Sequence, residues 1–216
     1  MTTILLIRHG QNNFVGKRLA GHLPKVYLND AGRKQAQAIA DFLKDAPLKA
    51  VYSSPLERAL QTAEPLAEQH NLQVQMHPGL TEVNFGEWQG KTLKQLARRK
   101  LWKMVQEKPS GMRFPGGESF YEAQQRVAMA IEEIAGWHEE KDLVACFSHS
   151  DTIRLAVSHF LAMPLDAFQR VGVDTASVTS IFLHQGRVFV GNVNFLPGWV
   201  WPKPKKEPGE KPEAHG

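Results

Sequence analysis

Three short polar clusters carry most of the chemical capacity of this sequence. They are Arg8-His9-Gly10, Ser53-Ser54 with Arg58 shortly after, and Ser148-His149-Ser150. Each follows directly on a short apolar run. Imidazole is neutral near pH 7 and can attack or hold a proton there, and a guanidinium fork binds an oxyanion through two N–H groups at once. Two arginines, two histidines and helix N-termini gathered at one point would form an electropositive site rich in backbone donors, which is the chemistry of phosphate binding. Singly, each residue has a blander role. A histidine at a strand end is usually a hydrogen-bonded turn residue, and an arginine on a helix is usually solvated. The three clusters together favour function.

The flanking elements decide whether the clusters meet. Thr3–Ile7, Leu48–Tyr52 and Leu143–Phe147 are apolar runs of strand length, and Val74–Met76 is a shorter candidate. Helices are predicted between them. Asn29 caps one whose apolar face is Ala36, Ile39, Ala40 and Leu43. Ser54-Pro55-Leu56-Glu57 reads as a capping box with proline at the first helical position. Ser119 and Glu122 form another capping box, ahead of a stripe of Phe120, Ala123, Val127, Ile131 and Ile134. Ile153–Phe160 is helical. Val178–Leu183 and Arg187–Val193 read as a hairpin around Gln185-Gly186. Alternating strands and helices followed by a hairpin imply an α/β fold with a mostly parallel mixed sheet. Parallel strands would set all three clusters at one carboxyl edge, where open α/β sheets bind ligands.

Composition narrows the classes further. A chain of 216 residues with 42% hydrophobic and 22% charged residues is an ordinary globular protein. One cysteine, Cys146, forms no internal disulfide and no zinc ribbon, which favours a reducing, cytoplasmic setting. No run reaches the 18 or so apolar residues of a membrane span. The apolar run Ile4–Ile7 ends at Arg8 and reads as a strand, not as a signal peptide. A net charge of +4 suits anionic small molecules and is too weak to indicate nucleic acid. The histidines show no HxH or HxxxH spacing, so no metal site is expected. Gly90-Lys91-Thr92 lacks the earlier glycine of a P-loop, since Phe85 holds that position. The domain is expected over 1–196, with a flexible Pro-, Lys- and Glu-rich tail over 197–216 in which Trp199 and Trp201 stand out.

An apolar strand ending in Arg8-His9-Gly10 resembles the histidine phosphatase superfamily, also called the phosphoglycerate mutase-like family. The likeness extends over residues 3–195. It includes Leu28-Asn29-Asp30-Ala31-Gly32, Ser53-Ser54-Pro55-Leu56-Glu57-Arg58-Ala59, Leu80-Thr81-Glu82 with Phe85-Gly86-Glu87-Trp88, and Ser148-His149 with Ile153-Arg154. The resemblance implies a three-layer αβα sandwich and phosphoryl transfer through a phosphohistidine. It makes His9 the nucleophile and places Arg8, Arg58 and His149 on the phosphoryl oxygens. Glu82 becomes the general acid, with Glu87 and Glu57 as rivals. It implies no cofactor and no metal, with a small phosphate ester as the partner.

The sequence departs from the family pattern in two places. Gln11-Asn12-Asn13 follows the glycine, and Val15 stands where an asparagine that touches phosphate is expected. Gln11, Asn12 and Ser150 are therefore candidate substrate contacts, with Asn13 an alternative to Asn12 in the place of that asparagine. Ser150 replaces a glycine after His149, and Asp151 brings a carboxylate toward the phosphate edge, with helix N-cap as its plain role. The short span from Glu82 to His149 and the segment Pro115-Gly116-Gly117-Glu118-Ser119 resemble the phosphatase-type branch. Hydrolysis is therefore expected, with a phosphomutase as the alternative and a non-catalytic anion binder behind both. Residues 91–108 hold seven Lys or Arg against one acid, Glu107. Leu93, Leu96, Leu101 and Met104 fit one helical face there. The segment reads equally as a cationic cover over the site or as a solvated helix face.

Overall fold

The protein's structure, a computed structural model, describes residues 1–198. Most of the expected tail, with Trp199 and Trp201, lies outside the described residues. Six strands form one sheet: β1 (Thr2–Arg8), β2 (Leu48–Ser53), β3 (Val74–Met76), β4 (Leu143–Ser148), β5 (Val178–His184) and β6 (Arg187–Val190). Their order is β3-β2-β4-β1-β5-β6. β1, β2, β3 and β4 run parallel, and β5 and β6 join antiparallel. This is the mixed, mostly parallel sheet expected from the strand–helix alternation. β6 ends at Val190, short of the Val193 expected. Gln185 and Gly186 both have positive φ, as a tight hairpin turn needs.

Alternation along the central strands builds two cores. Leu5 and Ile7 of β1, with Ala145 and Phe147 of β4, face α1 (Asp30–Leu43) and α2 (Glu57–Gln69). Ile4, Leu6, Val144 and Cys146 face the opposite way, toward α5 (Phe120–Gly136) and α6 (Ser150–Phe160). Helices cover both faces, so the central strands read as unbroken apolar runs. The layers are helix, sheet, helix.

Local signals explain most helix ends. Asn29 caps α1 by accepting from the Gly32 N–H. Ser119 and Glu122 form the expected capping box on α5. Two cap expectations are corrected. Leu56, not Ser54, is the N-cap of α2, and it provides no side-chain cap. Glu57 accepts instead from the backbone N–H of Lys25 at 2.8 Å. His149, not Asp151, is the N-cap of α6, and Asp151 sits inside its first turn.

The segment 91–108 is two short helices, α3 (Leu93–Leu96) and α4 (Lys100–Glu107). The break at 97–99 turns α4, so the expected single face does not exist. Leu96 and Val105 are buried, and Leu101 and Met104 are exposed.

Candidate active site

β1, β2 and β4 end side by side, and the three clusters meet there. Arg8 pairs with Ser148 in the β1–β4 ladder, and Ser53 pairs with Phe147. The pairing continues one step past the strands. The His9 N–H donates to the Ser148 carbonyl at 2.9 Å, and the Ser54 N–H donates to the Phe147 carbonyl at 2.9 Å. The polar turns are therefore held as firmly as the sheet beneath them.

Gly10 is fixed by contacts that no side chain would allow. A Cβ on it would lie 2.6 Å from the Gly32 carbonyl oxygen, and one on Gly32 would lie 2.1 Å from the Gln11 carbonyl oxygen. The two glycines let the loop after β1 rest directly on the start of α1. The Gly10 N–H also donates to Thr62 Oγ1 of α2 at 3.0 Å. His9 Nδ1 is 2.7 Å from the Gly10 carbonyl. A carbonyl only accepts, so Nδ1 carries the proton and Nε2 keeps its lone pair. Burial, then Arg58 and Arg8, pushes the His9 pKa well below its ordinary value. The ring is thus neutral and in the tautomer that leaves Nε2 able to attack.

His149 packs on His9 with ring centroids 5.1 Å apart. Its Nε2 is 2.8 Å from Ser54 Oγ. Ser54 Oγ already accepts from the Leu56 N–H at 3.3 Å, so its own proton is free to go to Nε2. His149 Nδ1 is buried and has no partner. Burial, followed by Arg58, His9, Arg8 and His22, depresses the His149 pKa well below its ordinary range.

Arg58 is among the most deeply buried large side chains, at 1% exposure. Its Nη2 donates to the Gly21 carbonyl at 2.8 Å, while Nε and Nη1 have no partner. Burial brings its pKa down to about 10, against the pull of Glu82 and Glu57, so it remains cationic at neutral pH. Arg8 donates through Nη1 to the Val173 carbonyl at 2.7 Å, and its Nε is unpartnered. Each arginine is thus anchored by one nitrogen and keeps others free.

Glu82 is buried at the edge of the same space. Its Oε1 accepts from the Val83 N–H at 3.0 Å and the Thr152 N–H at 3.3 Å, and Thr152 Oγ1 lies 3.1 Å away. Two backbone donors thus meet Oε1, while the Thr152 hydroxyl also lies 2.9 Å from the Thr81 carbonyl. Burial and the nearby Asp151 carboxylate raise the Glu82 pKa, while the Val83 N–H, Arg58 and Thr152 oppose that rise. A carboxyl whose pKa is raised is better suited to general acid work. Its backbone is clamped by Arg126 of α5. Arg126 Nη1 donates to the Gly79 and Thr81 carbonyls at 2.9 Å each, and Nη2 donates to Glu118 Oε1 at 2.8 Å.

Arg8, His9, Arg58 and Glu82 border a cleft of about 440 Å³ whose walls also include Asn12 and Ser150, while His149, packed on the His9 ring, is not part of the wall. Asn12 is buried. Its Oδ1 accepts from the Phe14 and Val15 N–H groups, and its Nδ2 has no partner. Ser150 is helical and needs no positive φ, so a side chain is tolerated there. Gln11 is a correction, because it is not part of the cleft wall. Its N–H donates to Gln35 Oε1 at 2.7 Å and its carbonyl accepts from the Asn29 N–H at 3.1 Å, tying it to α1. Glu57 bonds the Lys25 backbone, and Glu87 is also outside the cleft wall. Among the described residues, no group of three or more His, Cys, Asp or Glu side chains could hold a metal ion.

The profile of the histidine phosphatase superfamily (branch 1) matches residues 4–195. The chain belongs to that superfamily. It is 31% identical to phosphoserine phosphatase 1 of Hydrogenobacter thermophilus, over 90% of this chain and 92% of the relative. It is 29% identical to a 2,3-bisphosphoglycerate-dependent phosphoglycerate mutase of Thermoplasma acidophilum, over 87% and 90%. Among solved structures, a mycobacterial glucosyl-3-phosphoglycerate phosphatase in complex with VO3 superposes with a TM-score of 0.81. That match has 28% identity and covers 89% of this chain and 98% of the other.

Three residues of this histidine phosphatase site escape sequence reasoning. Thr152 holds Glu82 from α6, and Arg126 fixes the loop that carries Glu82. His22 Nε2 is 2.6 Å from the Glu82 carbonyl. All three act across long stretches of chain, and no local pattern marks them. Ser54 lies in one of the three polar clusters, and it contacts His149 as well as the Leu56 N–H.

Proposed function

We propose that this chain hydrolyses phosphate monoesters in two steps through a phosphohistidine at His9, without a metal. One observation carries the reading. Among the described residues, seven buried side-chain polar atoms lack a partner, and five of them belong to Arg8, Asn12, Arg58 and His149. Leaving a buried donor unsatisfied costs about 1–3 kcal/mol. Five around one neutral imidazole describe a receptor for the oxygens of a phosphoryl group.

In the first step His9 Nε2 attacks phosphorus, and the phosphorus–oxygen bond to the leaving group breaks. Arg8, Arg58, Asn12 and His149 donate to the phosphoryl oxygens, most strongly as charge builds in the transition state. Glu82 gives its proton to the departing oxygen. In the second step the Glu82 carboxylate takes a proton from water, the resulting hydroxide attacks phosphorus, and the bond to Nε2 breaks. Inorganic phosphate leaves and both groups return to their starting state. Two guanidinium groups provide the positive charge that a metal would otherwise supply.

Acid-quenched protein treated with labelled substrate should carry an acid-labile, base-stable label that disappears in His9→Ala. A label that persists in that variant refutes the assignment. Coupled assays with both phosphoglycerates, with and without the bisphosphate, should show hydrolysis outrunning interconversion. The substrate class is a small-molecule ester. Among the described residues no helix is long and apolar enough to cross a membrane. Cys146 is buried, which fits the cytoplasmic setting we propose.

A further inference from the structure

A second cavity, of about 340 Å³, adjoins the cleft. The two share Leu19, Phe85, Leu93, Asp151 and Arg154 as bordering residues, so the second cavity lies directly beside the cleft. The walls that belong to the second cavity alone are four apolar side chains, Trp102, Val105, Phe114 and Phe120, the last three almost fully buried, and two amides, Gln106 and Gln169. Its aromatic side is braced from behind. Trp88 stacks on Trp102 at 6.2 Å, and Phe114 meets Phe85 at 5.0 Å and Phe120 at 5.2 Å. Such rings have few rotamers and do not fold in to fill the space.

The charges along this wall cancel. Asp151 and Arg154 are its charged residues, and they pair with each other at 3.1 Å. Arg154 Nε is further engaged by the Val171 carbonyl at 2.9 Å. The cations that suggested an anion-attracting cover lie elsewhere. Lys94, Arg98, Lys100 and Lys103 are exposed and line neither cavity, whereas Leu93, Trp102 and Val105 do. The α3–α4 cover presents apolar side chains inward and its charges outward.

We propose that the second cavity receives the body of the substrate's alcohol, and that this body is apolar or aromatic. The preferred substrates are then phosphate monoesters of apolar alcohols or phenols, ahead of compact esters that carry a carboxylate. A carboxylate there would lose water against aromatic rings, and the cation of this wall, Arg154, is already engaged by Asp151 and the Val171 carbonyl. This inference rests on the phosphatase reading above.

The test is kcat/KM along a series of n-alkyl phosphates from methyl to hexyl, with benzyl phosphate, phosphoserine and 3-phosphoglycerate alongside. Burial of each methylene should raise kcat/KM by about threefold to fourfold until the cavity is full. Hexyl and benzyl phosphate should exceed both carboxylate-bearing esters. Leu93→Asp, at the junction, should collapse the hexyl-to-methyl ratio. Trp102→Ala, which enlarges the cavity, should move the plateau to longer chains. Calorimetric binding of n-alkylphosphonates, which have no ester bond to cleave, reads the cavity without turnover. A flat chain-length series, or phosphoserine outrunning hexyl phosphate, overturns the inference. If label on His9 persists in that case, the phosphatase reading stands alone. Phosphonates that tighten with chain length while no ester is hydrolysed and no label forms would support the cavity and refute the chemistry.

Discussion

At the scale of single residues, the site depends on shifting the titration of two kinds of group. His9 and His149 are held neutral beside two arginines, and the Glu82 pKa is raised by burial and by Asp151. The Glu82 role is separable by leaving group. An alkyl phosphate departs as a strongly basic alkoxide and needs the proton. An aryl phosphate with an electron-withdrawing ring departs as a weak base and needs little help. Glu82→Gln preserves shape and removes the proton. It should slow the formation of phosphohistidine by roughly 10²–10⁴-fold with alkyl substrates, the usual range for general acid catalysis, and far less with the activated aryl ester. The comparison belongs on the first turnover, by rapid quench, because the second step also uses Glu82. Equal losses for both substrates would mean that Glu82 only shapes the cleft.

At the scale of elements, much of the fold was legible in the sequence, for identifiable reasons. The central strands are buried on both faces, so Ile4–Ile7 and Val144–Phe147 carry an uninterrupted apolar signal. Asn29 and Ser119 cap helices through neighbours three residues away, which a local pattern encodes. Ser54 accepts from the Leu56 N–H as its local motif suggests, but α2 starts later and the serine's other contact is His149 on another strand end. Of the two readings of 91–108 the solvated face holds for Lys94, Arg98, Lys100 and Lys103, and the single apolar face fails because the periodicity ran across a break between two helices. Of the site itself, the family's motif residues were visible, while the groups that hold them were not. Arg126 is the clearest case. It lies in α5 and bonds three backbone carbonyls, at Gly79, Thr81 and Glu82. Arg126→Leu should lower stability by about 2–3 kcal/mol, the scale of lost charged hydrogen bonds. It should also cut alkyl ester turnover more than activated aryl turnover, because the loop it holds carries the acid. Denaturant unfolding and the alkyl-to-aryl ratio check the two effects. A stability loss with an unchanged ratio would confine Arg126 to the scaffold, and recovery of the ratio in Arg126→Lys would support the positioning role.

At the scale of the whole molecule, the same burial links catalysis to stability through pH. The folded-state pKa values of His9 and His149 lie well below the ordinary 6.5. Between that value and their lowered ones the unfolded chain binds more protons than the native chain, so stability rises with pH and falls on acidification. Both histidines therefore steepen the loss of stability as pH falls below their unfolded value. Glu82 works in the opposite direction. Its pKa is raised above 4.5, so above that value the native state holds a proton that the unfolded state has lost, and its contribution weakens as pH rises. Glu82→Gln should therefore steepen the loss of stability toward pH 5.5, and His9→Ala should make it shallower. A bound dianion reverses the field at both rings. Protonation of a histidine then becomes favourable, and binding of sulfate, a dianion that does not itself titrate in this range, should take up protons from solution near pH 6. Calorimetry of sulfate binding in two buffers of different ionisation enthalpy measures that uptake. A net uptake that falls in His149→Gln would tie the effect to the buried rings. Binding with no proton exchange at any pH between 5.5 and 7 would show that the rings stay neutral and that the two arginines alone balance the dianion.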